Sequence, residues 1–238
     1  MTPPVLRSRT ALSVFVADSG DFGAGYVDAV VSDDDRCTAS HMSTRRRTQY
    51  LAGRALLRFA IERSTGRPAK TCSFTTRAGG KPDCVAGPAV SVSHSGALLA
   101  CAVAPAGEVG IDIQFPARHH HTEEIARAWF TPAECSWLQG APRDAFYQLW
   151  VLKEAYLKCL GSGLAGGLAS IECRIEPPMI TMRAAQAVQL ALYSAGEAFV
   201  GIAASTAEAL EICVESWPLP STRPHATPLR FIAATTSV

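Results

Sequence analysis

What this 238-residue sequence lacks narrows it before any motif is considered. It carries eight cysteines, at positions 37, 72, 84, 101, 135, 159, 173 and 213, yet no C-x-x-C pair or comparable metal-ligand spacing. Several lie inside apolar runs such as residues 98–103, so they read as small buried hydrophobes of a reducing cytoplasm. Charge is scarce, 18% of residues with a formal net charge of +1, which argues against a nucleic-acid binder. No apolar run reaches the ~18–20 residues of a membrane-spanning helix. Arg7 and Arg9 precede the apolar residues 11–17, but Asp18 ends that stretch without a small-residue cleavage pattern, so it reads as a first strand rather than a signal peptide. A G-x-S-x-G elbow is missing too, because Ser91 and Ser95 stand where its glycines would flank Ser93. With 48% apolar residues, what remains is a chain able to bury a substantial core as one large domain or two half-sized ones.

The punctuation suggests the second arrangement. Residues 44–63 read as a helix stopped by Gly66 and Pro68, and residues 73–76, 89–93, 98–104 and 109–113 as short strands with Gly79-Gly80 and Ser95-Gly96 at turns. Residues 122–129 then turn helical. Thr131-Pro132-Ala133-Glu134 supplies a threonine N-cap with a capping-box glutamate, and residues 143–160 form a longer helix stopped by Gly161-Ser162-Gly163. Strands are expected over 171–175, 187–193, 198–204 and 210–216. The fold class is α+β: two similar lobes, each a small mainly antiparallel sheet packed with a long helix, with pseudo-twofold symmetry inferred from element order alone. The expected boundary puts residues 1–114 in the first lobe and 115–238 in the second.

Four segments carry polar groups that ask for a role. On the long helix, Glu154 and Lys158 share an i, i+4 face, which serves either as a solvated salt bridge or as part of a site. Lys153 falls inside the helix's apolar arc, where its ammonium must snorkel out or meet an anion. Asp112 and Gln114, two apart on an extended segment, point to one face; with a carboxylate from elsewhere they suit a hard cation, and otherwise the aspartate caps a turn. The connection around Ser93 and His94 offers hydroxyls, amides and an imidazole to a phosphate, or is an ordinary turn. Arg47, Arg54 and Arg58 fall within about 40° of one another on the first helix, beside Arg45 and Arg46, as a phosphate grip or a solvated face. Lys81 follows Gly79-Gly80 as a turn lysine, and His119-His120-His121 reads as loop.

The order of these segments is what gives them meaning together. Gly80-Lys81-Pro82, then Ser93-His94-Ser95-Gly96, then Val109-Gly110-Ile111-Asp112-Ile113, then the run from Trp150 to Lys158 that reads W-x-x-K-E-A-x-x-K resembles the phosphopantetheinyl transferase superfamily, over about residues 44–165. The length is similar to the Sfp-type, pseudo-dimeric branch. That resemblance implies an enzyme that moves the 4'-phosphopantetheine arm of coenzyme A to a serine of an acyl or peptidyl carrier protein, with Mg²⁺ (or Mn²⁺) as cofactor. It implies a coenzyme A site between the lobes, with Asp112, Gln114 and Glu154 at the metal. Lys81, Ser93, His94, Lys153 and Lys158 would contact the coenzyme A phosphates, joined by Arg47 and Arg54 from the helical face. Glu154, Lys158 and His94 would take the catalytic roles. The implied protein is a cytoplasmic monomer that binds neither nucleic acid nor membrane. Two other classes stay open on the residues alone: a serine hydrolase using Ser93 with a histidine, and a non-catalytic coenzyme A- or nucleotide-binding module.

Overall fold

The computed structural model describes residues 10–117, 121–163, 166–206, 210–216 and 229–235; Arg7, Arg9, His119 and His120 lie outside them. In chain order the elements are β1 (Thr10–Asp18), α1 (Ala24–Val30), α2 (Asp33–Ser40), α3 (Thr44–Thr65), β2 (Phe74–Thr76), β3 (Pro82–Cys84), β4 (Ala89–Ser95), β5 (Leu98–Ala104) and β6 (Glu108–Gln114). Then come α4 (Thr122–Trp129), α5 (Pro132–Gly140), α6 (Ala145–Leu160), β7 (Ile171–Glu176), β8 (Met179–Ala184), β9 (Gln189–Ala195), β10 (Ala198–Ser205), β11 (Leu210–Ser216) and β12 (Leu229–Ala234). Helix ends follow the chemistry expected of them. Gly66 and Gly161 close α3 and α6 in left-handed conformation, at φ 74° and 70°. Thr131 and Glu134 cap α5 reciprocally.

Three sheets result: β11-β1-β5-β4, β6-β10-β9-β12-β8-β7, and the small β2-β3 pair. Helix α3 buries Ala52, Ala55, Leu56, Leu57, Ala60 and Ile61 against the first sheet, and each fully buried leucine or isoleucine contributes roughly 1.5–3 kcal/mol. Helix α6 packs on β6 and β10 of the second. The element orders of the halves correspond. A strand, a long helix and an antiparallel hairpin appear as β1, α3, β4-β5 and again as β6, α6, β9-β10, with strand order β1-β5-β4 matched by β6-β10-β9. Even the hairpin turns agree, with Gly96 at φ 59° and Gly196 at φ 60°.

The sheets do not divide at residue 114. Strand β6 pairs antiparallel with β10, Asp112 opposite Gly201, so it belongs to the second sheet. Strand β11 crosses the other way and pairs parallel with β1. The expected lobe boundary therefore has to move: each half lends the other one strand, and no cut in sequence separates the sheets. Such pairings are long-range and leave no periodic trace in either strand.

Two glycines set how closely α6 can approach. A Cβ on Gly110 would stand 1.9 Å from the Ala155 carbonyl oxygen, and one on Gly201 2.3 Å from that of Val151. Helix backbone thus lies directly on strand backbone, which no larger residue permits. That contact brings the polar face of α6 to the strand carrying Asp112.

Candidate active site

Strand β4 is an edge of the first sheet and β6 an edge of the second, and hydroxyls stitch them together. Ser91 Oγ accepts from the Ile111 amide at 3.1 Å, Ser93 Oγ donates to Asp112 Oδ1 at 2.7 Å, and Ser95 Oγ accepts from the Phe115 amide at 3.1 Å. The period of two along a strand sends these three serines to one face. Val92, by contrast, faces Gly53 of α3. The Ser-x-Ser-His-Ser pattern is therefore a seam between lobes.

At the middle of that seam sits a carboxylate cluster. Asp112 is buried, and its Oδ1 also receives Lys158 Nζ at 2.6 Å; no partner for Oδ2 occurs among the described residues. Glu154, one helical turn before Lys158, has no hydrogen bond or ion pair among the described residues, and its carboxyl is raised above the usual value. Burial is the main cause, followed by the charge of Asp112, with Lys158 opposing. His94, though exposed, is lowered first by partial desolvation of its ring, then by the Lys158 ammonium; Asp112 pulls the other way, and Arg46 and Arg45 add to the lowering. Asp112, Glu154, Lys158 and His94 thus share one field, drawn from three separate chain segments. Gln114 follows Asp112 on the strand, its Nε2 donating to the Phe115 carbonyl at 3.0 Å, which leaves Oε1 free of protein partners among the described residues.

This donor set fits a hard divalent cation. Two neighbouring carboxylates raise one another's affinity for positive charge, and an amide oxygen stands on the same strand face; Mg²⁺ is characteristically held by one or two carboxylates plus substrate phosphates and water. No group of three or more His, Cys, Asp or Glu side chains able to hold a metal occurs among the described residues, so an all-protein cage is not what this site offers.

Other expected site residues are placed elsewhere. Lys153 is fully buried, its Nζ 2.7 Å from both Glu134 oxygens, donating also to the Ile171 carbonyl, and 5.0 Å above the Phe130 ring. Its anion is an internal glutamate, so it does not face a diphosphate. Glu134 also accepts from the Thr131 and Cys173 amides, a bolt joining α5, α6 and β7. Arg54 and Arg58 point inward to Asp35, at 3.3 and 2.7 Å, and stack over Phe74. Arg47 donates to the carbonyls of Ala39, Ser40 and Met42 at the end of α2. The arginines of the α3 stripe therefore fasten α2, and Arg45 and Arg46 are the ones whose charge reaches His94.

Lys81 stands between these cases. It lines a cavity of about 130 Å³ with Gly79, Gly80, Ser91, Lys158 and Gly161, yet its Nζ is bound to Glu108 at 2.7 Å and to the Cys159 carbonyl at 3.3 Å. Ser93 is buried whereas His94 is exposed, and adjacent strand residues point apart. The hydrolase reading, which needs Ser93 hydrogen-bonded to a histidine, has no support in this geometry. Tyr147 was not singled out by sequence, but its hydroxyl donates to the Ala117 carbonyl at 2.9 Å and fixes the segment leaving β6.

The α+β fold thus sets Asp112, Glu154 and Lys158 together at the junction of its sheets, with His94 within reach of the Asp112 and Lys158 charges. The family described as "4'-phosphopantetheinyl transferase superfamily" matches residues 108–198. The 4'-phosphopantetheinyl transferase HetI of Nostoc sp. is 30% identical over 63% of this chain and 67% of its own. The 4'-phosphopantetheinyl transferase of Bacillus subtilis is 35% identical over 57% and 61%, and Sfp of Bacillus subtilis strain 168 is 33% identical over the same shares. The chain belongs to the 4'-phosphopantetheinyl transferase superfamily. It spans about three fifths to two thirds of the length of these curated relatives.

Proposed function

We propose that this protein transfers the 4'-phosphopantetheine arm of coenzyme A to a serine hydroxyl of an apo acyl or peptidyl carrier protein, releasing adenosine 3',5'-bisphosphate, with Mg²⁺ or Mn²⁺ required. One observation carries the reading: Asp112 and Lys158, 46 residues apart in sequence, meet at 2.6 Å on the seam between the sheets beside Glu154, and their charges reach His94. Family membership supplies the identity of the reactants.

A divalent cation held by Asp112 and Glu154, with Gln114 Oε1 on the same strand face, would neutralise the diphosphate and favour displacement at the β-phosphorus. The chain's own groups do the remainder. The serine oxygen forms its bond to the β-phosphorus as the bond to the bridging diphosphate oxygen breaks. Glu154, beside the cation, takes the hydroxyl proton directly or through water. Lys158 offers a positive charge to the 5'-phosphate of the leaving adenosine 3',5'-bisphosphate, and His94, whose proton affinity is lowered first by partial desolvation and then by the Lys158 charge, gains a proton more readily as phosphate arrives. Arg45 and Arg46, exposed at the start of α3, extend the basic side of the site. The protein is read as a cytoplasmic monomer binding neither nucleic acid nor membrane. All eight cysteines are free, in keeping with a reducing compartment, and no helix among the described residues is long and apolar enough to cross a membrane.

The test is mass spectrometry of apo carrier proteins incubated with coenzyme A and Mg²⁺. The wild type should add the mass of one arm, whereas Asp112→Ala should lose more than about 10²-fold in rate, as removal of a single charge-stabilising group commonly does. No mass gain on any of several acyl and peptidyl carriers would overturn the reading.

A further inference from the structure

Lys158 and Ser93 bind the same oxygen of Asp112, but they are not equivalent partners. Ser93 is short and buried in the seam, 2.7 Å from Oδ1. Lys158 reaches the same atom at 2.6 Å from the end of a long flexible stem and keeps 28% of its side chain open to solvent. It also lines the cavity of about 130 Å³ that four glycines share with Lys81, Pro82, Ser91 and Val92, so open space adjoins its side chain. A cation shared between Asp112 and Glu154 would lie close to this ammonium, and two positive charges at such range repel. An arriving diphosphate changes the balance by offering the ammonium another anion.

We propose that Lys158 is a resident counter-ion of Asp112 which competes with the divalent cation and is drawn off by the diphosphate, so that cation and coenzyme A bind as a linked pair. The inference rests on the reading of Asp112 and Glu154 as cation ligands. It assigns the linkage to one side chain, beyond any direct bridging of cation and phosphate. By reciprocity, whatever coenzyme A gains from the cation through this lysine, the cation gains from coenzyme A. Ser93 stays on Oδ1 throughout and keeps the carboxylate's orientation while its other partner leaves.

The experiment is an electron paramagnetic resonance titration of free Mn²⁺ at pH 8, with and without coenzyme A, on wild type and Lys158→Met. A thermal melt confirms that each protein is folded, and Lys158→Gln serves if the methionine variant does not fold. Without coenzyme A, the variant should bind Mn²⁺ at least about fivefold more tightly than wild type, the lower end of typical site-to-site coupling. Coenzyme A should then improve Mn²⁺ affinity less in the variant than in wild type. Arg46→Ala, which removes a nearby positive charge without touching Asp112, should change coenzyme A-free Mn²⁺ affinity less than about twofold if contact rather than general field is responsible. Equal or weaker Mn²⁺ binding by the Lys158 variant, or an equal gain in Arg46→Ala, overturns the proposal while leaving the transferase reading intact. No Mn²⁺ binding by any protein, even with coenzyme A, overturns both.

Discussion

Two lysines on α6, five residues apart, each pair with a carboxylate, and they have opposite physical characters. Lys153 and Glu134 are 0% and 1% exposed, with every carboxylate oxygen engaged by an ammonium or amide. Lys158 is 28% exposed and holds only one oxygen of Asp112, beside Glu154, which has no hydrogen bond or ion pair among the described residues. The first pair is complete, and removing either member strands a buried charge. The second is unfinished: it leaves one oxygen of Asp112 and the whole of Glu154 available to something from outside. What separates the two ion pairs is the number of hydrogen-bonding positions left over, and it is the unfinished one to which the proposed function assigns the chemistry.

Gly110→Ala breaks both regions at once, because its Cβ would collide with the Ala155 carbonyl and the Cys159 amide, at 1.9 and 2.4 Å, and push α6 off β6. The expected cost goes beyond the ~1–3 kcal/mol usual for overpacking, seen as loss of soluble folded protein or the largest drop in melting temperature of any variant here. Lys153→Met separates the regions. It should cost about 3–5 kcal/mol in denaturant unfolding by stranding Glu134, while the protein that remains folded still binds Mn²⁺ in the presence of coenzyme A. Lys158→Met should show the reverse, with a smaller stability loss and a changed cation affinity. If the two variants lose similar stability, the contrast fails.

Glu154→Gln gives the smallest shift and sharpens the electrostatic side. Since Glu154 binds its proton more tightly folded than unfolded, its favourable contribution is complete below the ordinary carboxylate range and is lost as pH rises through its raised value. The glutamine variant should therefore melt higher than wild type at pH 8, and the gap should close toward pH 4. A gap that stays constant across that range, or has the opposite sign, would show that Glu154 is not strained by its neighbours.

Much of this contrast can be traced in the sequence, though unevenly. The apolar arc of α6 shows that Lys153 needs an anion; only the tertiary fold shows that the anion is Glu134, whose capping box was legible on its own at Thr131. Spacing places Asp112 with Gln114, and Glu154 with Lys158, on common faces, and the motif order joins the two. The α3 arginines are misleading for a physical reason. Their stripe is real, but the partner, Asp35, lies on α2, a helix without an apolar stripe whose start is marked by the Ser32-to-Asp35 capping box. Strands β8 and β12 are short and follow proline-containing segments, and the exchange of β6 and β11 between sheets is a long-range pairing that local pattern does not encode. The seam is half legible: alternation says that Ser91, Ser93 and Ser95 share a face, but not that the face meets β6.

That alternation makes β4 intolerant of a change in length. One residue inserted ahead of Ser91 would rotate every following side chain by half a turn, putting Val92 where Ser93 meets Asp112 and His94 where Ser95 meets Phe115, and sending the hydroxyls toward α3. Asp112 would then face Val92, which cannot donate to a carboxylate, and the Ile111 and Phe115 amides would lose their serine acceptors. A single added codon could uncouple the halves of the molecule with no residue of the cluster altered.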